Sequence, residues 1–237
     1  GGPMDGERDF SGGEMAALLE WWVESGVDVA VQEQPRDWLR PAQPAPAVAA
    51  PTTNVAEPSA ETLAGLRDWL ASSVQLPLAS ASARRILPHG PEEAAVMLLA
   101  DAPALEDFAA GQPIGGEAWL LATRMLAAIG VDVGAAYSAS LSCFHAPGGR
   151  MSEQDRAECA AIARKHVALV RPRRLVLLGD GPCRALLGQP LAQARGHVHK
   201  VEGVRTIATF HPRWLLQRPS DKAKAWADLL LLMEDEA

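Results

Sequence analysis

The stretch FHPRWLLQRPSDKAKAWADLL (Phe210–Leu230) follows directly on an apolar run, VRTIATF (Val204–Phe210). The run reads as a buried strand, so His211 falls at its carboxyl end and Pro212 fixes the turn beyond it. Trp214, Leu215 and Leu216 then lie on a short loop before Pro219. Arg213, Arg218, Lys222 and Lys224 surround that tip, and Ser220 is placed to cap a final helix, SDKAKAWADLLLLMEDE. Two readings of the tip are open. The apolar side chains enter a base stack while the cations hold phosphates, or they cover the edge of a sheet as core.

From about Ala94 the chain alternates between apolar runs and helical segments. AAVMLLAD, AAYSASLS, RLVLLGD and VRTIATF read as strands. GGEAWLLATRMLAAIG, ended by Gly130, SEQDRAECAAIARKHVALV, capped by Ser152, and PCRALLG separate them as helices. Four short apolar strands divided by helices predict a parallel sheet covered on both faces. Ligands of such sheets bind beyond the strands' carboxyl ends. ADAP, CFHAPGGR, GDGP and FHPRWLL all fall there. GDGPCR (179–184) lacks the G-x-G-x-x-G pattern and a phosphate-loop lysine, so it reads as a strand-to-helix turn. Its backbone N–H groups could still meet a phosphate. Upstream, AETLAGLRDWLASS reads as a helix with Ser59 as cap. Residues 41–59 are a Pro/Ala-rich linker, and residues 1–40 are an acidic segment with one amphipathic helical candidate, GGEMAALLEWWVESG. Gly1-Gly2-Pro3 ahead of Met4 reads as a cloning remnant.

The chain has 237 residues and a net charge of −7, yet Arg171 to Lys224 holds eleven Lys/Arg against three acids. That segment is +8 and the remainder −15, which suggests a basic end for a polyanion on an acidic protein. No apolar run approaches a membrane span, and no signal peptide is visible. Three widely spaced cysteines, Cys143, Cys159 and Cys183, argue for reduced thiols in a cytoplasm. A zinc site at Cys143, His145 and Cys159 fits no common spacing. His197 and His199 read as part of a polar link before the last strand.

The Phe210–Leu230 block resembles the C-terminal motif of the uracil-DNA glycosylase superfamily, most closely its iron–sulfur type, family 4. It matches at His211-Pro212, Leu215-Leu216, Pro219, Lys222 and Trp226-Ala227-Asp228-Leu229. ADAPALED (Ala100–Asp107) is similar to the family's Gly-Glu-Ala-Pro-Gly motif. YSASLSCFHAPGGR, LVRPRRLVLLGDGPCRALLG and ARG (194–196) follow the family's order. The resemblance implies a three-layer α/β/α sandwich with a central, mostly parallel four-stranded sheet over residues 60–237, with residues 1–40 as a helical appendage. It implies a monofunctional DNA glycosylase that flips a uracil or other deaminated base and hydrolyses its N-glycosidic bond. His211 would stabilise the leaving base, and Asp101 would position water. Ala102, Pro103, Ile114 and Ser140 would form the base pocket. Arg213, Trp214, Leu215, Leu216, Arg218 and Lys222 would meet DNA.

The departures fall on the chemistry. Asp101 replaces Glu, and Ile114 replaces the ring that stacks on the base. Ser140 replaces an Asn whose amide can donate and accept at once. An iron–sulfur cluster needs four thiolates. SVQLPLASASARRILPHGPEEA has no cysteine, Phe144 falls at the family's third cysteine, and Cys159 aligns with the fourth. No cluster and no other metal is expected. A second reading is a catalytically inactive DNA-binding or partner-recruiting protein on the same scaffold. Its N-terminal segment, with Trp21, Trp22 and Trp38, would hold the partner. The expected state is a monomer.

Overall fold

The structure, a computed structural model, describes residues 60–80 and 82–234. The acidic segment, the linker and Ser59 lie outside the described residues. The elements run α1 (Leu63–Ser72), β1 (Val96–Ala100), α2 (Leu105–Ala110), α3 (Gly116–Ala128), β2 (Ala136–Ser140), α4 (Glu153–Val170) and β3 (Arg174–Leu178). They continue with α5 (Asp180–Leu187), α6 (Leu191–Ala194), β4 (His199–Val201), β5 (Val204–Thr209), α7 (Pro212–Gln217) and α8 (Lys222–Met233).

The sheet order is β2-β1-β3-β5-β4, with the first four strands parallel. Alternation along β1 sends Val96, Leu98 and Ala100 to one face and Met97 and Leu99 to the other. The first set packs with α3, α7 and α8 through Leu121, Met125, Leu215, Leu229 and Leu232. The second packs with α4 and α5 through Ala163, Val167, Cys183 and Leu186. A smaller cluster joins α1 to the β2–α4 loop through Leu66, Leu70, Leu76, Cys143, Phe144 and Ile162. The three-layer α/β/α sandwich expected from the sequence is therefore present.

The strand count differs. A fifth strand, β4, pairs antiparallel with β5 through a two-residue turn, Glu202-Gly203, with φ of 51° and 76°. His199 belongs to this strand rather than to a link. The caps differ too. Thr62 accepts from Gly65 N–H and caps α1, Ser152 caps α4 as expected, and Ser220 lies in a 3₁₀ turn before α8 without capping it. Among the described residues no helix is long and apolar enough to cross a membrane.

Register brings the strand ends level. Ala100 pairs with Ser140, Leu99 with Leu177, and Leu178 with Thr209. Asp101, Leu141, Gly179 and His211 therefore emerge along one edge.

Candidate active site

His211 closes β5 and is the N-cap of α7, with Pro212 in the first turn. Its Nδ1 accepts the backbone N–H of Arg213 at 3.0 Å. Burial, aided by the Arg213 charge, pushes its pKa down to about 3. The ring is neutral, and with Nδ1 accepting, its proton sits on Nε2. A fixed N–H donor thus stands at the sheet edge.

Asp101 closes β1. Its Oδ1 accepts from Ala102 N–H at 2.8 Å. The carboxylate lies against Gly181, where any side chain would overlap it. Desolvation raises its pKa above 3.8; the Ala102 N–H and Arg156 oppose the shift, and Asp180 adds to it. On the other side of the same turn, Gly179 has φ +96°, and a Cβ there would lie 3.9 Å from the Cβ of His211. The end of β3 and the first turn of α5, Gly179-Asp180-Gly181, therefore meet Asp101 at Gly181 and His211 at Gly179. Gly181 serves close approach to the carboxylate, and Gly179 a backbone angle that favours glycine.

Two buried carboxylates that the sequence reading left without a role hold this edge together. Asp107 is 1% exposed and accepts from Ala104 N–H, Gly115 N–H and the Arg213 guanidinium at 2.8, 2.8 and 2.5 Å. It joins the Ala102–Ala104 loop, the start of α3 and the His-Pro helix. Asp228 accepts from Arg195 Nε and from the hydroxyl of Thr209, each at 2.8 Å. Arg195 also lies over the Phe210 ring at 4.7 Å. The two residues before His211 are thus tied to α8. Both acids lie in family-like motifs, ALED (Ala104–Asp107) and WADL (Trp226–Leu229), but their partners include residues distant in sequence.

The expected base-pocket residues are split. Ala102 and Pro103 line an open groove of about 750 Å³ with Asp101, His145, Arg150 and Arg184. Ile114 is 1% exposed and belongs to the core cluster beneath the site. Ser140 Oγ is buried without a hydrogen-bond partner.

The expected DNA-contacting residues are split as well. Trp214–Leu216 form part of helix α7, not a loop. Leu215 is fully enclosed, because its helical position turns it onto the core. It therefore drops out of the wedge, while Trp214 and Leu216, 40% and 39% exposed, remain at the surface. Trp214 Nε1 donates to Asp221, and the Arg218 guanidinium lies 4.9 Å from its ring centroid. Arg213 is held by Asp107. Lys222 is 7% exposed and its pKa is lowered, by desolvation first and by Arg124. It is enclosed at the start of α8 and is not presented to phosphates.

A four-thiolate cluster does not fit these residues. The chain has three cysteines, all buried and free. Desolvation pushes the thiols of Cys143, Cys159 and Cys183 up to about 11, 12 and 12. Cys143 and Cys159 border a cavity of only about 20 Å³. Phe144 fills the neighbouring position at 1% exposure, under the Arg85 guanidinium at 5.0 Å.

A model of the uracil DNA glycosylase superfamily matches residues 87–230, more than half of the chain. A type-4 uracil-DNA glycosylase of Pyrobaculum aerophilum is 25% identical over 154 residues, covering 60% of this chain and 79% of that protein. Its counterpart from Archaeoglobus fulgidus is 27% identical over 141 residues, covering 55% and 71%. With the strand ends, the His-Pro helix and the acidic loop in place, the chain belongs to the uracil-DNA glycosylase superfamily.

Proposed function

We propose that this chain is a monofunctional DNA glycosylase that takes a deaminated base out of the stack and hydrolyses its N-glycosidic bond without an iron–sulfur cluster. The observation that carries the reading is the fixed Nε2–H of His211 at the same sheet edge as Asp101. In the reaction the C1′–N bond breaks and the electron pair leaves with the base; water adds to C1′, and the proton it gives up ends on the released base. Negative charge grows on the base carbonyl, where a preorganised neutral donor is most effective. The Asp101 carboxylate, once ionised, holds the attacking water and faces the cationic sugar. Extruding the base costs a few kcal/mol, and Trp214 and Leu216 are the exposed apolar groups suited to fill the gap.

The test is single-turnover base release from oligonucleotides containing uracil, hypoxanthine, xanthine or no lesion, in single and double strands. Release that is lost in His211→Ala supports the reading; binding with no release from any substrate overturns it. The location of Ile114 in the core favours a second reading, a DNA-binding or partner-recruiting protein, because no side chain from that position stacks on a base. Metal analysis of the purified protein tests the cofactor: bound iron in stoichiometric amount would overturn that part.

A further inference from the structure

His145 lines the same groove as Asp101 and Pro103 and is exposed. Its Nδ1 lies 2.8 Å from the carbonyl oxygen of Pro103. A carbonyl only accepts, so Nδ1 carries the proton and Nε2 of the neutral ring carries a lone pair. No described residue donates to that Nε2. The exposed ring is held by its bond to Pro103 and by one aromatic contact. Pro103 is buried, its loop is pinned by Asp107, and Phe108 meets the imidazole edge-on with centroids 6.4 Å apart. The flanking residues Phe144 and Ala146 are buried. In its neutral form His145 thus offers an acceptor in the groove beside Asp101, whereas the donor of His211 stands farther along the sheet edge, outside that groove's lining.

Deamination reverses the polarity of one ring nitrogen. Cytosine N3 and adenine N1 carry lone pairs; uracil N3 and hypoxanthine N1 carry hydrogens. A rigid acceptor bonds to the second pair and repels the first. Ser140 cannot impose that choice, because a hydroxyl rotates to give or accept. We propose that His145 is a specificity-determining residue whose Nε2 accepts the ring N–H that deamination creates on the base. This rests on the glycosylase reading above. Thymine and guanine carry the same N–H, so other contacts must exclude them, and His145 variants should leave that exclusion unchanged.

The test pairs His145→Asn with a methyl block on the substrate. Asn retains an N–H near the Nδ1 position, so the tie to Pro103 survives while the Nε2 acceptor is gone. Single-turnover release is measured from oligonucleotides carrying uracil or 3-methyluracil. The expected result is a roughly tenfold slowing on uracil and no change on 3-methyluracil, which has no N–H to lose. Equal slowing on both, or none on either, overturns the proposal while the glycosylase reading stands. If His145→Asn does not fold, His145→Gln carries the test: its amide can turn to donate, so the preference for uracil over cytosine should fall, and an unchanged preference overturns the proposal. If the wild-type protein releases no base, the glycosylase reading fails, and binding decides this one. With ¹⁵N-histidine protein and non-hydrolysable 2′-fluoro oligonucleotides, uracil should shift the His145 Nε2 resonance and 3-methyluracil should not. The same response to both, or to neither, overturns it.

Discussion

The backbone N–H of Arg213 donates to His211 Nδ1 and leaves the ring proton on Nε2, where it can meet a leaving base. His211→Ala removes that donor and is expected to slow single-turnover release about 10²–10³-fold. It also removes the cap of α7, at a cost of about 1 kcal/mol. His211→Asn separates the two effects. Its oxygen can still cap the helix, so thermal stability should be retained while release is lost. Asp101 sets a pH dependence of a different kind. Desolvation raises its pKa above 3.8, so its ionised form is lost at a higher pH than for a free aspartate. Release should therefore rise with pH through that raised value, and the limb should vanish in Asp101→Asn. His211, with its pKa lowered to about 3, adds no second limb near neutrality. A limb that persisted in Asp101→Asn would assign it elsewhere.

At the scale of elements, Asp107 holds α7 to the β1–α2 loop across 106 residues of sequence. Asp107→Asn replaces a carboxylate that meets three donors, one a guanidinium 23% exposed. A loss of about 2 kcal/mol is expected, read by denaturant unfolding. A larger relative loss of base release than of stability would show that the helix bearing His211 has shifted. Phe144 makes the second prediction here. It completes the apolar cluster that joins α1 to the β2–α4 loop. Phe144→Ala should cost about 3 kcal/mol, whereas chelators should leave the wild-type melting temperature unchanged. β1 and β3 were legible in the sequence because they read as nearly unbroken apolar runs in the middle of the sheet, whereas β2 and β5 carry Ser, Arg and Thr and were placed by the helical segments on either side of them. β4 was not legible, since its His199-Lys200-Val201 is a polar edge and its turn puts a glutamate, not a glycine, at the first positive φ. α7 is six residues long, too short for a helical period to show, so its tip read as a loop and Leu215 as exposed. The positions of His211 and Asp101 followed from strand ends. The partners of Asp107 and Asp228 did not, because hydrogen bonds between distant segments leave no local pattern.

At the scale of the molecule, the basic segment from Arg171 to Lys224 divides between two edges. Arg171, Arg173, Arg174 and Arg205 sit near the amino ends of β3 and β5, opposite His211. Arg171 pairs with Glu93, and Arg205 donates to the carbonyls of Leu231 and Leu232. At the site edge, Arg195 and Arg213 are held by Asp228 and Asp107, and Lys222 is enclosed. The linear count therefore overstated the charge offered to DNA from this segment. Arg150 and Arg156, from outside it, line the groove with Arg184, and Arg218 is exposed beside Trp214. Arg156 and Arg184 are paired within their own helices to Glu153 and Asp180, whose carboxylates are exposed, so a phosphate can replace them at little cost. If these four cations meet phosphates, the logarithm of the binding constant should fall with the logarithm of salt at a slope of about −3 to −4. Changing Arg150, Arg156 or Arg184 to Ala should reduce that slope by about one each. Arg173→Ala and Arg174→Ala, at the far edge, should leave it unchanged. A slope that responded to the far-edge changes and not to the groove changes would put the DNA on the other side of the sheet and separate it from His211.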